Sequence, residues 1–317
     1  MDQLRALRYF SKLAQTLSFS ETADYFRVPS SSVSRRIKDL EENLGIELFL
    51  RTTRSVSLTD LGVLYLAEIK TALQTIEIAD EMCKAQSIAP SGTVRITAMP
   101  AYAELYVLPA IDKMRKLYSD LEFDLNITDQ TLSLSSNDAD IAIRATSDLP
   151  EQVVARQLSK HNFILVASPD FINQNGKPQT SDDLNLFPIF MYRTPRGVLN
   201  WQAQKNQTWK DIDLIPKYVS NHGQSLLESV VAGQGIALLP SWGVAKEIST
   251  GQLQEIILKD GSLSTSGDLK MSMYLLYHPP KFQLKKIKLT VDFLYRELNL
   301  LRKITALFQR DIGVRFV

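Results

Sequence analysis

The sequence predicts three successive regimes: a small winged helix-turn-helix, one long helix, and a large domain in which strands and helices alternate. Residues 18–62 hold two short helical patterns joined by a tight turn, a helix stop, an alternating ribbon and a new helix start. Residues 59–89 then form one helical pattern that Pro90-Ser91-Gly92 breaks. From Gly92 onward, short apolar strand patterns alternate with helical ones, the signature of an α/β domain.

The first helix carries one apolar stripe, Leu4, Leu7, Phe10, Leu13, Ala14 and Leu17, at helical spacing. Ser20 is positioned to cap a second, short helix whose Ala23 and Phe26 share that core, and Val28 closes the turn. A third helix starts at Pro29 or Ser30, because a proline at the first helical position loses only an N–H that would be unpaired anyway.

In that third helix Val33, Ile37, Leu40 and Leu44 step by four, three and four, which fixes the buried face. Ser31, Arg35, Lys38 and Glu42 project from the opposite side, flanked by Ser30 and Ser34 near the helix start. Hydroxyls and an arginine on the N-terminal half of a helix suit base reading: arginine pairs bidentately with guanine, serine reads either base type, and the helix start attracts phosphate. Gly45 supplies the left-handed stop. Leu48–Arg51 and Ser55–Leu58 form a ribbon with Arg51 and Arg54 at its tip, placed to touch the phosphate backbone or else simply solvated.

Charge alone would not locate this site. The chain has 36 basic and 35 acidic side chains, a net charge of +1. Binding to nucleic acid would rest on a few well-placed cations and on pairing two copies, not on a strong positive field.

Thr59 is placed to cap the long helix. Within it Gly62, Leu66, Ile69, Leu73, Ile76, Asp80 and Cys83 alternate four and three apart, the seam of two helices packed lengthwise. The alternative is a helix lying on its own domain; it is set aside because the winged domain should already have closed its core. Cys83, the single cysteine, reads as a packed thiol and excludes an intramolecular disulfide.

In the α/β region, strands are expected at Thr93–Ala98, Leu121–Ile127, Asp140–Arg144, Val153–Leu158, Phe163–Ala167, Ile189–Tyr192, Tyr218–Ser220, Ile236–Leu239 and Met271–Tyr277, with helices at Glu104–Tyr118, Ser225–Ala232 and about Gln283–Leu298. The remaining length suffices for two subdomains. Beyond Leu298, Leu301, Ile304, Thr305 and Phe308 continue a helical stripe of unassigned role.

The stretch from Leu4 to Gly62, with its ELF-x-RT-x-R ribbon and LT-x-x-G helix start, resembles the N-terminal domain of the LysR-type transcriptional regulators. SGTVRITA, DADIAIR, VVARQL, VASPDFI and VVAGQGIALLP extend the resemblance through the sensor, most closely to the subgroup with a D-x-A-I-R strand followed by an LVASP strand. It departs from the family pattern twice. Pro29-Ser30 stands where Ser-Gln is usual, which removes a long amide and points to an atypical DNA sequence. Thr22-Ala23 stands where an Ala-Ala pair is usual.

The resemblance implies a winged helix-turn-helix over residues 1–58, a linker and dimer helix over 59–90 with Leu66, Ile69, Leu73 and Ile76 at the seam, and a two-subdomain, periplasmic-binding-protein-like effector domain over 91–300. Its subdomains would be 91–163 with 268–300, and 164–267, leaving a tail of 301–317. A ligand in such a fold lies at strand C-terminal ends and helix N-termini. That rule nominates Met99, Pro100, Ala101, Arg144, Thr146, Tyr192, Asn221 and His222. Helix N-termini and Arg144 would favour an anion such as a small carboxylate; alternatively Arg144 pairs structurally with Asp138 or Asp140. The implied partners are promoter DNA, a small-molecule effector, a second copy or three further copies of the chain, and RNA polymerase.

Enzyme chemistry finds no support. His161, His222 and His278 are scattered, and there is no HExxH, GxSxG or Walker loop. Gly233-Gln234-Gly235 reads as a helix cap, Asp138-x-Asp140 as a strand start, Ser133, Ser135 and Ser136 as surface, and Trp201 and Trp209 as packing. No metal or cofactor is expected. With no secretion signal and no apolar run long enough to cross a bilayer, the expected location is cytoplasmic, with no membrane partner.

Overall fold

The computed structural model describes residues 2–51, 55–84, 90–130, 134, 139–205, 207–267 and 270–311, excepting the side chains of residues 74, 81–84 and 300–311. The chain forms two compact units, one built by residues 1–88 and one from residue 89 onward.

The first unit opens with helices α1 (Gln3–Thr16), α2 (Phe19–Phe26) and α3 (Ser30–Leu44). The cap of α2 is Ser18, not Ser20: its side chain accepts from the Glu21 amide, and the helix starts two residues earlier than expected. Leu17 and Arg27 take left-handed conformations that end α1 and α2, so Leu17 leaves the apolar stripe and is 45% exposed. Ala6 and Tyr9 are buried in the stripe beside Phe10 and Leu13. Pro29 is extended and precedes α3, and Gly45 (φ 70°) ends it. Val33, Ile37 and Leu40 are buried as expected; Leu44, at the fraying last turn, is exposed. The unusual Thr22 is fully buried, and its hydroxyl donates to the Ser18 carbonyl at 2.8 Å and meets the Thr16 hydroxyl at 2.7 Å, so the extra polar atom is satisfied.

Strands β1 (Phe49–Arg51) and β2 (Val56–Leu58) pair antiparallel as the wing. Thr59 caps the next helix, α4 (Asp60–Lys84), by accepting from the Gly62 amide at 2.9 Å. This helix does lie on its own domain. Tyr65, Leu66 and Ile69 pack against the core of the first unit, and a Cβ on Gly62 would stand 2.2 Å from the Leu48 carbonyl oxygen. The expectation that the winged domain closes its core without α4 is therefore corrected: α1 and the wing leave an apolar flank that its first half covers. Leu73 is buried, whereas Ile76 and Asp80 are exposed; the side chain of Cys83 lies outside the described residues.

The second unit contains two lobes. The first is a five-stranded sheet in the order β4-β3-β5-β16-β6, formed by β3 (Gly92–Ala98), β4 (Leu121–Ile127), β5 (Ile141–Thr146), β6 (Val154–Lys160) and β16 (Ser272–Tyr277). β3 runs parallel to β4 and β5, while β16 is antiparallel to β5 and β6. Between β3 and β4 the helix begins earlier than expected, as α5 (Pro100–Tyr102), a π-helical turn (Ala103–Val107) and α6 (Leu108–Leu117). Proline at its first turn is compatible with helix because only an unpaired N–H is lost.

The second lobe is built on β12-β8-β13-β7-β14, from β7 (Phe163–Ala167), β8 (Ile189–Thr194), β12 (Pro216–Ser220), β13 (Ile236–Pro240) and β14 (Gln254–Glu255). Leu165, Met191 and Leu238 enter one buried cluster, while Val166, Phe190 and Leu239 enter another. Such strands are buried on both faces and read as continuous apolar runs. Helices α7 (Pro169–Asn175), α8 (Gly223–Val231) and α9 (Ala245–Ser249) belong to this lobe. A short strand β9 (Gly197–Val198) folds back on β8, and a small sheet joins β10 (Gln202–Lys205), β11 (Thr208–Asp211) and β15 (Leu263–Ser264). Trp201 is buried in one of this lobe's clusters. The last helix, α10 (Lys285–Asp311), returns to the first lobe through Ile287, Val291 and Leu294, and runs well beyond Leu298. The stripe expected over Leu301, Ile304, Thr305 and Phe308 lies outside the described side chains.

Candidate functional site

In the first unit α3 presents Ser30, Ser31, Arg35 and Lys38 as exposed side chains, with Ser34 half-buried beside them. Lys38 lies 3.5 Å from Glu42, an exposed pair one helical turn apart. Arg51 stands at the last pair of the wing ladder, opposite Val56, and has a partner within the protein. Its guanidinium is 2.5 Å from Glu41 and stacks over the Phe19 ring, 5.2 Å from the centroid. Glu41 also accepts from the Leu48 and Phe49 amides at 2.9 and 3.1 Å. Arg51 thus belongs to a bracket that fixes the wing against α3. Arg54 lies outside the described residues.

In the second unit a cavity of about 420 Å³ opens between the two lobes, at the C-terminal ends of β3, β5 and β8. Met99, Pro100, Ala101, Arg144, Thr146 and Tyr192 line it together. Asn221 and His222 do not. Both are exposed, and the His222 ring caps α8 by accepting from the Ser225 amide at 3.3 Å.

Arg144 is not paired with Asp140. Asp140 is taken by the buried Lys281, whose Nζ stands 2.8 Å from it, and by the Arg95 amide; Asp138 and the serines at 133, 135 and 136 lie outside the described residues. The Arg144 guanidinium donates instead to the Thr97 hydroxyl at 2.5 Å and to the carbonyls of Ile143 and Gln130 at 3.0 and 3.2 Å. Burial lowers its pKa, and the nearby Asp129 carboxylate partly offsets that. Asp129 in turn accepts a short hydrogen bond from the Tyr192 hydroxyl, joining the first lobe to the second. Burial, and then this carboxylate, hold the Tyr192 phenol well above its usual range.

Asp129, His161 and Trp242 are wall residues that sequence reasoning missed. Asp129 follows the end of β4 and could have been found by the same strand-end rule. His161 lies where the chain crosses from β6 to β7, and only tertiary packing brings it to Trp242. Its Nδ1 accepts from the Trp242 indole at 2.9 Å, and burial lowers its pKa to about 4, so it is neutral at pH 7. The Tyr106 hydroxyl donates to the Trp242 carbonyl at 2.7 Å, a second bond between the lobes. Among the described residues no cluster of metal-ligating side chains occurs, and no helix is long and apolar enough to cross a membrane.

Comparison with known proteins identifies both units. Residues 4–63 match the bacterial regulatory helix-turn-helix protein family of lysR type, and residues 88–299 match the LysR substrate binding domain. The chain is 34% identical over 263 residues to the uncharacterised HTH-type transcriptional regulator YhjC of Escherichia coli, covering 81% of this chain and 87% of that protein. It is 30% identical over 302 residues to the E. coli regulator DmlR, covering 89% and 97%. The solved structure of CrgA, a LysR-type transcriptional regulator from Neisseria meningitidis, superposes with a TM-score of 0.58 at 26% identity, over 93% of this chain and 98% of that one. These relatives are regulators of transcription and not enzymes. With a helix-turn-helix DNA-binding unit and an effector-binding unit in one chain, this protein belongs to the LysR family of transcriptional regulators.

Proposed function

We propose that this regulator reads promoter DNA through the exposed face of α3, as a dimer or tetramer, and answers to a small molecule held in the inter-lobe cavity. The observation that carries the DNA reading is the two-sidedness of α3: Val33, Ile37 and Leu40 are buried, while Ser31, Arg35 and Lys38 are exposed at and after its N-terminus. Ser30 and Ser34 flank this face, and Arg54 at the wing supplies a phosphate contact. Arg51 contributes by holding the wing in place.

Pairing of copies supports the affinity of a chain with net charge +1. Helix α4 leaves Leu61, Leu64 and Ile76 exposed, apolar surface that a second copy would cover beside Leu73, with Leu66 and Ile69 engaged within the protomer. The D-x-A-I-R and LVASP segments, carried by β5 and β7, support membership of the subgroup that has both. A cytoplasmic location and contact with RNA polymerase follow from this role. A ligand among Met99, Pro100, Ala101, Arg144, Thr146 and Tyr192 acts by binding one arrangement of the lobes or subunits better than another.

The test is genome-wide footprinting of the purified protein on fragmented DNA of its source at near-physiological salt. A few strong sites with dyad symmetry are expected. Diffuse binding indifferent to sequence would replace this reading with that of an architectural DNA-binding protein.

A further inference from the structure

The inter-lobe cavity carries information about its ligand that the sequence did not. Resting on the reading of that cavity as the effector site, we infer that its ligand is an uncharged, mainly hydrophobic molecule bearing a hydroxyl group, rather than a carboxylate.

The walls come first. Leu105, Phe163, Leu227, Leu239, Trp242 and Met271 from both lobes line the chamber, and about 420 Å³ is the size that holds a small organic molecule. Such walls reward apolar surface and penalise a charge that finds no partner.

Most of what could hold an anion is engaged: three of the five Arg144 N–H groups and the start of α8 have partners within the protein. Arg144 donates to Thr97, Ile143 and Gln130, and the Asp129 carboxylate stands close enough to act on its charge. The N-terminus of α8 is capped by its own His222 side chain. At the start of α5, Pro100 replaces one amide donor with a ring. Met99 brings a sulfur that accepts from the Ala145 amide. His161 supplies no positive charge at neutral pH. Among the described residues, the charged side chains lining the cavity are Arg144, Asp129 and Asp148, a balance of one cation against two carboxylates. An entering carboxylate would meet that balance and lose its water. An ammonium would lose its strong hydration to reach an Asp129 already bonded to Tyr192.

Asp129 also defines the polar group that does fit. A carboxylate offers about four lone-pair directions, and the Tyr192 hydroxyl uses one. A ligand hydroxyl can join Tyr192 on Asp129 or displace it. Since Asp129 and Tyr192 come from different lobes, either event changes the bond between them. Recognition and response then share one atom pair.

The test uses the full-length protein and three probes with the same apolar body: 4-phenylbutan-1-ol, 4-phenylbutyrate and 4-phenylbutylamine. Dissociation constants are measured by ligand-observed NMR titration at pH 7.5, for the wild type, for Asp129→Asn and for Ala101→Phe, which fills the cavity. The alcohol is expected to bind at least tenfold tighter than either charged probe, and to lose that binding in Ala101→Phe. In Asp129→Asn the uncompensated Arg144 should narrow or reverse the preference over 4-phenylbutyrate. A wild-type preference for the carboxylate or the amine, lost in Ala101→Phe, would overturn the ligand class and leave the cavity as the effector site. Binding that survives Ala101→Phe, or no binding by any probe, would remove both.

Discussion

Glu41 on α3 holds Arg51 of the wing at 2.5 Å while its other oxygen accepts from the Leu48 and Phe49 amides. One carboxylate towards the end of α3 thereby fixes the first wing strand through three donors. Glu41→Ala should destabilise the first unit by ~1–3 kcal/mol, because two backbone amides and a guanidinium lose their acceptor. Arg51→Ala should cost less, about 1 kcal/mol, since a part-exposed ion pair is screened. Urea unfolding would measure both. An Arg51→Ala protein with unchanged stability but a salt slope of DNA binding flatter by about one would return Arg51 to the phosphate contacts.

Arg35 projects from the exposed face of α3 near its N-terminal half. Replacing it with alanine should cost ~1–3 kcal/mol on the cognate site and relax base preference at one position. Binding measured across a set of single-base operator variants would show this as a collapsed difference at one position. Equal weakening on all sequences would make Arg35 a phosphate contact.

Much of this was legible because it is local. The caps, glycine stops and 3.6-residue periodicity of α1 to α3 are written within a few residues of where they act. The strand-end rule located six cavity residues because the apolar runs of β3, β5 and β8 stop beside the cavity, although β5 and β8 themselves continue to Thr146 and Thr194. What escaped depends on partners distant in sequence. Nothing in the sequence around Glu41 marks it as the acceptor for the wing that folds onto it. The packing of α4 on its own unit was not legible because Leu66 and Ile69 satisfy a heptad and a domain flank equally well. Asp140 seemed available to Arg144 because nothing near it announces Lys281, which arrives from the segment between β16 and α10. His161 and Trp242 meet only where the lobes join.

Lys281 and Asp140 form a nearly inaccessible pair, with side chains 3% and 12% exposed, and the Lys281 ammonium also donates to the Ala139 carbonyl. Removing one partner leaves a buried charge. Lys281→Met should therefore cost ~3–5 kcal/mol, whereas adding Asp140→Asn should recover part of that loss by neutralising the orphan. Denaturant unfolding of the two single variants and the double variant closes the cycle. Strict additivity would show that the two charges do not interact.

His161 is 7% exposed, between Phe163 and Trp242, with its Nδ1 occupied by the Trp242 N–H. Its pKa falls from 6.5 to about 4 because burial penalises the imidazolium. The unfolded chain therefore binds more protons than the folded one between those values, so stability rises with pH across that window. This contribution is fully present above pH 6.5 and is lost as pH falls towards 4, a change of roughly 3 kcal/mol at 1.36 kcal/mol per unit. His161→Gln, which keeps an acceptor for the indole, should remove that component while leaving the share due to carboxylates and His278. The difference between the two proteins' unfolding free energies, followed by tryptophan fluorescence from pH 7.5 to 4.5, measures it directly. A difference that stays constant with pH would mean that the imidazole gains its proton without leaving the wall.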